Sequence, residues 1–240
     1  MAKNTFDIII LIGRPASGKS EIIAHLQDCR NEKRCENFHI GKLDFLDDFP
    51  MLWTWFEEDH ILENVLGKPR LHTDSEGYFK NNYLWNLLIE RFNLEYPKRL
   101  RAKNYHDENT LIIEFSRGSE HGGYTSAFQH LGEDILKNAA ILYVDVPYEE
   151  SLRKNRQRFN PDRPDSILEH GLPDDKLERL YKEVDWDEFS KADSEYIEIQ
   201  GIKVPYAIFE NEDDVTTNTP ALLAERLEEA LSKLWDLKNK

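Results

Sequence analysis

The residues with the clearest chemical meaning form the run Gly13-Arg14-Pro15-Ala16-Ser17-Gly18-Lys19-Ser20, whose spacing is G-x-x-x-x-G-K-S. A buried-strand pattern precedes the run at 6–12, and an amphipathic helix pattern follows it at 21–26. Glycines at 13 and 18 allow successive N–H groups to turn inward around phosphate oxygens, and the helix N-terminus adds further donors. Lys19 can reach the β- and γ-phosphates, and the Ser20 hydroxyl can join a Mg²⁺ shell. We therefore predict that residues 13–20 form a phosphate-binding P-loop that holds a nucleotide.

Other charged and polar residues follow later apolar runs of the chain. Asp44 and Asp47 follow the run 37–43, whereas Glu114 and Arg117 stand at the end of the run 110–115. An arginine-rich segment, 151–163, follows the run 139–146, and Asn211 follows the run 204–209. Ligands of open α/β sheets bind beyond the carboxyl ends of the strands, so these residues are candidates for the same site as the P-loop.

The elements that must position these residues alternate between strands and helices. Five apolar runs, at 6–12, 37–43, 110–115, 139–146 and 204–209, are separated by helical patterns. This order predicts an α/β fold with a mainly parallel five-stranded sheet covered by helices on both faces. We expect one domain over 1–240, with a helical insertion at 49–104 whose two helices run from 50 to about 66 and from 78 to about 96. A second helical excursion is expected at 149–192 and a final amphipathic helix at 219–238.

The P-loop, the five-strand alternation and the arginine-rich segment together resemble the P-loop small-molecule kinases, which include adenylate, nucleoside, gluconate and polynucleotide 5′-hydroxyl kinases. The resemblance implies ATP and Mg²⁺ as cofactors. It also implies that residues 49–104 cover the acceptor and that 149–192 form a lid.

The resemblance assigns expected roles to individual residues. It implies that Asp44, with Asp47 as the alternative, accepts the proton of the attacking hydroxyl, and that Glu114 holds the metal with Ser20. Arg117 would bind the acceptor, and Arg156 and Arg163 would contact the transferring phosphoryl group beside Lys19. Asn211 would lie at the rim of the adenine site. Ordinary alternatives stay open. Asp44 and Asn211 would then belong to acidic turns before helices, and Arg117, Arg156 and Arg163 would be solvated.

Composition restricts the partners of the protein. The 240 residues carry 31 basic and 46 acidic side chains, a net charge of −15, and 40% of them are hydrophobic. Such a chain folds around a large core and repels duplex nucleic acid and anionic membranes, although a small basic pocket could still bind a nucleic-acid 5′ end. Cys29 and Cys35 are too few for a disulfide framework or a four-cysteine zinc site, and no apolar run could span a membrane. We expect a cytoplasmic protein; the sequence does not predict its oligomeric state.

The sequence therefore predicts an enzyme that transfers the γ-phosphate of ATP to a hydroxyl of a small, nucleoside-like acceptor. Two alternatives stay open, a nucleoside monophosphate kinase and a nucleotide-binding regulator or ATPase that transfers nothing. GTPase switches are disfavoured, because the chain has no N-K-x-D guanine motif.

Overall fold

The computed structural model describes residues 4–158, 162 and 171–240. Within them, six strands form one sheet in the order β2-β3-β1-β4-β6-β5. The strands are β1 (Ile8–Gly13), β2 (Lys42–Asp47), β3 (Asn109–Phe115), β4 (Ala139–Asp145), β5 (Tyr196–Ile199) and β6 (Ile202–Glu210). All pairings are parallel except that of β5 with β6. The predicted α/β fold with a mainly parallel sheet is confirmed, and it has one antiparallel edge strand more than predicted.

Helices fill the crossovers between the strands. They are α1 (Lys19–Asp28), α2 (Asn31–Phe38), α3 (Phe49–Asn64), α4 (Tyr83–Arg99), α5 (Tyr105–Glu108), α6 (Gly123–Gln129), α7 (Glu133–Asn138), α8 (Tyr148–Arg158), α9 (Asp174–Tyr181), α10 (Trp186–Ser190), α11 (Val215–Asn218) and α12 (Pro220–Lys238). The segment 49–104 thus lies between β2 and β3 and contains α3 and α4. No helix of the described residues is long and apolar enough to cross a membrane.

Strand β1 lies in the middle of the sheet because its side chains are apolar on both faces. Ile8, Ile10 and Ile12 pack into a core with α4, α6 and α7, whereas Ile9 and Leu11 pack into a second core with α1, α2 and α12. All six residues of the strand are buried. A continuous apolar run of this kind is typical of parallel strands covered by helices on both sides, and it fixes the P-loop at the carboxyl edge of the sheet.

Two boundaries differ from the sequence prediction in ways that affect the site. Residues 37–43 were expected as a strand, but α2 extends to Phe38, His39 turns the chain with a positive φ of 54°, and β2 begins only at Lys42. Helix α4 was expected from 78 to 96; it begins at Tyr83 and continues past Pro97 to Arg99. The carboxyl end of β2 is therefore Asp47, and Asp44 lies in the middle of the strand.

Candidate functional site

The P-loop connects β1 to α1 through backbone that only glycine adopts without strain. Gly18 precedes α1 with φ 112°, and a Cβ placed on it would lie 2.6 Å from Asn211 Nδ2. Both the conformation and the space therefore require glycine at this position. The N–H groups that open α1 have no helical partners of their own, so they are available to an anion.

Lys19 lies across the inside of this loop and is nearly buried. Its ammonium group donates to the carbonyl oxygens of Arg14 at 3.0 Å and Gly13 at 3.4 Å, and to Ser116 Oγ at 3.0 Å. Burial lowers the pKa of Lys19, whereas the negative charge of Glu114 raises it. A phosphate entering the loop would supply acceptor oxygens in place of these neutral ones.

Two carboxylates face this lysine from the ends of adjacent strands. Asp47 ends β2 and is the register partner of Glu114 on β3. Glu114 Oε1 lies 3.9 Å from Lys19 Nζ. Desolvation by the surrounding protein, followed by the charges of Glu114 and Asp48, raises the pKa of Asp47 to about 7. Part of the Asp47 side chain still reaches solvent. Burial likewise raises the pKa of Glu114, against the charge of Lys19. Asp47 and Glu114 are hereafter called the carboxylate pair.

Asp44, the residue expected to be the base, is committed to other contacts. Its Oδ2 accepts hydrogen bonds from Tyr105 OH at 2.6 Å and from Arg99 Nε at 3.0 Å. This placement follows from the later start of β2, which puts Asp44 three residues before the strand end. Asp47, the second candidate, is the β2 carboxylate that lies beside Glu114 at the strand end and whose charge raises the pKa of Lys19.

The residues expected to hold Mg²⁺ fit that ion by their chemistry. Ser20 is exposed in the first turn of α1, and the carboxylate pair supplies further oxygen donors at the same edge. Mg²⁺ prefers oxygen ligands and keeps several waters, so it needs few protein ligands. The described part of the chain contains no cluster of three or more His, Cys, Asp or Glu side chains placed to hold a metal.

Arg117 is not placed to bind an acceptor, contrary to expectation. It is 1% exposed, and its Nη1 donates to Asp48 Oδ2 at 2.6 Å. Its Nη2 donates to the carbonyl oxygen of Trp85, and its guanidinium lies over the Trp85 ring at 5.3 Å. A buried ion pair of this type fixes the geometry of the chain around it. Arg117 therefore joins β3 to α4 and to the start of α3.

The arginines expected on the phosphoryl group occupy different positions. Arg156 is exposed, with 60% of its side chain in solvent, and pairs with Asp174 at 2.7 Å. Arg163 lies outside the described residues. Arg158, at the end of α8, is the arginine whose charge lowers the pKa of both Lys19 and Glu114. Arg158 is thus the α8 arginine with an electrostatic effect on the P-loop lysine.

The remaining P-loop residues hold the loop in place through its backbone. Arg14 donates to the carbonyl oxygens of Val146, Tyr181 and Lys182. Ser151 Oγ donates to the carbonyl oxygen of Pro15 at 2.7 Å. Ser17 is fully buried, and Ala16 has a positive φ of 54°. The loop is therefore tied to α8 and to the segment after α9.

Asn211 is not the rim residue that the sequence predicted. It is fully buried beneath the P-loop, where its Nδ2 donates to the carbonyl oxygen of Ser17 at 2.7 Å and to Thr216 Oγ1 at 2.9 Å. Its Oδ1 accepts from the N–H of Thr216. The side chain thus connects the P-loop to α11.

The insertion contains a row of packed aromatic rings. Phe79 packs between Trp55 of α3, at 5.7 Å, and Trp85 of α4, at 4.7 Å. Trp85 in turn stacks on His121 at 3.8 Å. Burial and the charge of Arg117 lower the pKa of His121 to about 3, so the ring is neutral at physiological pH. This row of rings runs from the insertion to Arg117.

Sequence reasoning missed three contributors to the site. Ser116 contacts Lys19, and Asp48 contacts Arg117. Arg158 affects the pKa of Lys19, but the sequence analysis chose Arg156 and Arg163 instead. The available signal was position: Ser116 follows the third strand directly, and Arg158 is the last residue of α8. The predicted run ended at 43 and so placed Asp44 at the sheet edge, whereas β2 continues to Asp47.

Comparisons with known proteins find distant structural likenesses. No protein-family model and no curated protein matches the sequence. An unliganded sugar kinase from Janibacter sp. HTCC2649 is 14% identical, with a TM-score of 0.44 over 97% of this chain and 98% of that one. A protein from Thermus thermophilus is 17% identical, with a TM-score of 0.42 over 95% of this chain and 97% of that one. Shikimate kinase from Acinetobacter baumannii is 15% identical, with a TM-score of 0.34 over 74% of this chain and 77% of that one.

The fold assignment stands on this chain's own geometry rather than on those likenesses. A central parallel strand feeds a glycine loop, and the loop feeds a helix N-terminus with a buried lysine. Carboxylates and a basic helix lie at the same sheet edge. The chain therefore has a P-loop α/β fold.

Proposed function

We propose that this protein is an ATP-dependent kinase that phosphorylates a hydroxyl group of a small, nucleoside-like acceptor. The single observation that carries the proposal is the carboxylate pair beside Lys19, with Glu114 Oε1 3.9 Å from Lys19 Nζ and Asp47 next to it across the β2–β3 pairing. A P-loop places the γ-phosphate near its lysine. A carboxylate at that place can take the proton of an attacking hydroxyl.

In the proposed reaction, Asp47 accepts the proton of the acceptor hydroxyl while the oxygen attacks the γ-phosphorus. The bond from that phosphorus to the bridging oxygen breaks, and ADP leaves. A pKa near 7 suits this task, because a base works best when its pKa is close to the operating pH. Lys19 and Arg158 offset the charge that spreads over the phosphoryl oxygens. Mg²⁺ held by Ser20 and Glu114 would screen the same charge.

The acceptor would lie between the P-loop and the insertion. Support comes from the aromatic side chains that the insertion brings to this side of the sheet, among them Trp53 and Trp55, which are half-buried. Flat aromatic surfaces bind planar or apolar ring faces well. This is the reason to expect a ring-bearing acceptor rather than a short polar one.

The test is phosphate transfer from γ-labelled ATP and Mg²⁺ to four separate pools: nucleosides, nucleoside monophosphates, sugars and 5′-hydroxyl oligonucleotides. The Lys19→Ala variant serves as the blank. We expect a labelled product in the nucleoside pool that the blank does not form. A product in the monophosphate pool alone would favour the nucleotide kinase, and ATP binding without any product would favour the regulator.

The base is tested with a matched pair of variants, Asp47→Asn and Asp44→Asn. Removing a general base costs about 10²–10⁴-fold in rate, and we expect this loss for Asp47→Asn with its ATP affinity retained. Asp44→Asn should lose less than about tenfold, because Asp44 contacts Arg99 and Tyr105 instead. The reverse order of the two rates would restore Asp44 as the base.

A further inference from the structure

Helix α4 is apolar on two opposite faces. Its inner face is buried in the core through the residues Leu84, Trp85, Leu88, Ile89, Phe92 and Tyr96. On the opposite side, Tyr83 is 64% exposed, Leu87 42% and Leu94 56%. A surface helix normally carries polar residues on the face that points away from the core. The exposed apolar residues of α4 therefore need an explanation.

The exposed residues form a continuous stripe along the helix. Tyr83, Leu87, Glu90 and Leu94 follow one another at steps of four, three and four residues. This is the spacing of a seam that packs against a second helix. With 17 residues, α4 is about 25 Å long, so the stripe covers most of its length. We call these four residues, with Arg91 and Lys98 beside them, the α4 outer face.

The charges of the α4 outer face complement a second copy of the same face. If two α4 helices lie antiparallel, with a two-fold axis between positions 90 and 91, Leu87 meets the partner's Leu94. Glu90 then meets the partner's Arg91, and Tyr83 meets the partner's Lys98. Glu90, Arg91 and Lys98 have 49%, 41% and 45% of their side chains exposed, so all three can be reached. A two-fold interface requires such self-complementarity.

Contacts within the chain leave this arrangement possible. Glu90 Oε1 lies 2.9 Å from His130 Nδ1, and its other oxygen accepts from Asn93 Nδ2. Arg91 Nη2 is 3.8 Å from Glu95 Oε1. These surface ion pairs are weak and exchange readily. The apolar residues between them lose water only when another surface covers them.

We propose that the protein forms a two-fold dimer through the α4 outer face. The partner is a second copy rather than another protein, because the face complements itself in both apolar positions and charge. A net charge of −15 makes two copies repel elsewhere, which requires an attractive, charge-paired patch for association. A single helix pair buries no more than the smallest specific interfaces, about 1,200 Å² in total. An interface at this end of the size range is typical of transient association, so we expect monomer and dimer to exchange.

The experiment is sedimentation velocity of the full chain over a hundredfold range of concentration. We expect the wild type to shift from monomer to dimer, and the Leu87→Glu/Leu94→Glu variant to remain monomeric throughout. Leu222→Glu on α12 is the matched control, since Leu222 is also exposed, at 37%, and lies outside the face. The control should dimerise like the wild type, and circular dichroism should show equal helix content in all three.

Charge reversal gives a second test that does not depend on the leucines. Arg91→Glu opposes the partner's Glu90 and should raise the dissociation constant about tenfold or more at low salt. Adding Glu90→Arg to that variant restores an opposite-charge pair and should restore dimerisation. A wild type that remains monomeric overturns the proposal. So does a dimer that persists in Leu87→Glu/Leu94→Glu, or a double charge reversal that does not recover.

Discussion

The position of one carboxylate relative to the end of its strand decides its chemistry here. Asp44 and Asp47 both lie on β2, yet Asp44 is engaged by Arg99 and Tyr105, whereas Asp47 is next to Glu114. Parallel strands bring their last residues together at one sheet edge, and that edge carries the P-loop. Three residues along a strand are therefore enough to separate a structural ion pair from a candidate base.

The raised pKa of Asp47 predicts how stability depends on pH. In the unfolded chain its pKa is near the ordinary value of 3.8, and in the folded protein it is about 7. Between these values the folded state holds a proton that the unfolded state has released, so stability falls as pH rises from about 4 to about 7. The variant Asp47→Asn lacks this loss. We expect the melting temperature of Asp47→Asn, relative to that of the wild type, to rise between pH 5 and pH 8.

The measurement is thermal unfolding of both proteins at half-unit pH intervals in buffers of constant ionic strength. Asp44→Asn is the control. The difference between its melting temperature and that of the wild type should not increase toward pH 8. Parallel pH profiles for Asp47→Asn and the wild type would mean that the Asp47 carboxyl titrates normally.

At the scale of elements, one buried carboxylate holds the insertion together. Asp59 is fully buried and is the only residue of α3 that is. Its oxygens accept from the N–H groups of Leu71, His72 and Thr73 and from Thr73 Oγ1. Burial alone would raise the pKa of Asp59, but these hydrogen bonds lower it below the ordinary value. Asp59 is thus the buried polar link between α3 and the loop that follows it, in addition to the Arg70–Glu63 ion pair and the Trp55–His72 stack.

We expect Asp59→Asn to release this loop without unfolding the sheet. The amide can accept through only one of its two terminal atoms, so at least one buried N–H group loses its partner, at a cost of about 1–3 kcal/mol. Hydrogen exchange at residues 71–73 should then speed up roughly 5- to 150-fold. Glu57→Gln changes an exposed carboxylate of the same helix that accepts from Trp53 Nε1 rather than from the loop, and it should leave these amides unchanged. Unaltered exchange in Asp59→Asn would show that other contacts hold the loop.

Elements with a strong apolar pattern could be predicted from the sequence, and those set by turns could not. The six buried residues of β1 and the leucine spacing of α12 gave both elements nearly their full extent. The predicted start of β2 was wrong because His39 turns the chain with a positive φ. Residues with a side chain rarely adopt this conformation, and no sequence pattern indicates it. Strand β5 was missed because it is a four-residue edge strand, joined to β6 by a turn at Gln200 and Gly201.

The same distinction applies to the site. The strand, glycine loop and helix N-terminus around residues 13–20 were predicted in the order that the structure has, because the pattern lies in consecutive residues. Arg117 and Asn211 were assigned to ligands, but their partners are Asp48 and the carbonyl oxygen of Ser17, which lie 69 and 194 residues away in the chain. Only the fold brings such partners together. Sequence position therefore identified which residues approach the site, and not which of them remain available to a ligand.

At the scale of the whole molecule, the insertion and the segment after α8 meet at one tyrosine. The Tyr78 ring lies 4.2 Å from the Arg179 guanidinium and 5.0 Å from Lys176 Nζ, both on α9. Lys176 Nζ also lies 3.5 Å from the carbonyl oxygen of Gly77, and Arg179 pairs with Glu120 at 2.8 Å. The two sides that would enclose an acceptor are thus joined across the carboxyl edge of the sheet.

Because one ring contacts two cations, its loss should affect both segments together. Each cation–π contact at an exposed site contributes about 0.5–1 kcal/mol, and the two together about 1–2 kcal/mol, so Tyr78→Leu should speed hydrogen exchange roughly 5- to 30-fold in residues 74–79 and equally in 174–181. Tyr78→Phe keeps the ring, so its hydrogen exchange in both segments should remain close to that of the wild type. Tyr83→Leu, at an exposed tyrosine without these cations, should change neither segment. If only residues 74–79 respond to Tyr78→Leu, α9 is held by the Arg179–Glu120 pair instead, and the two sides open independently.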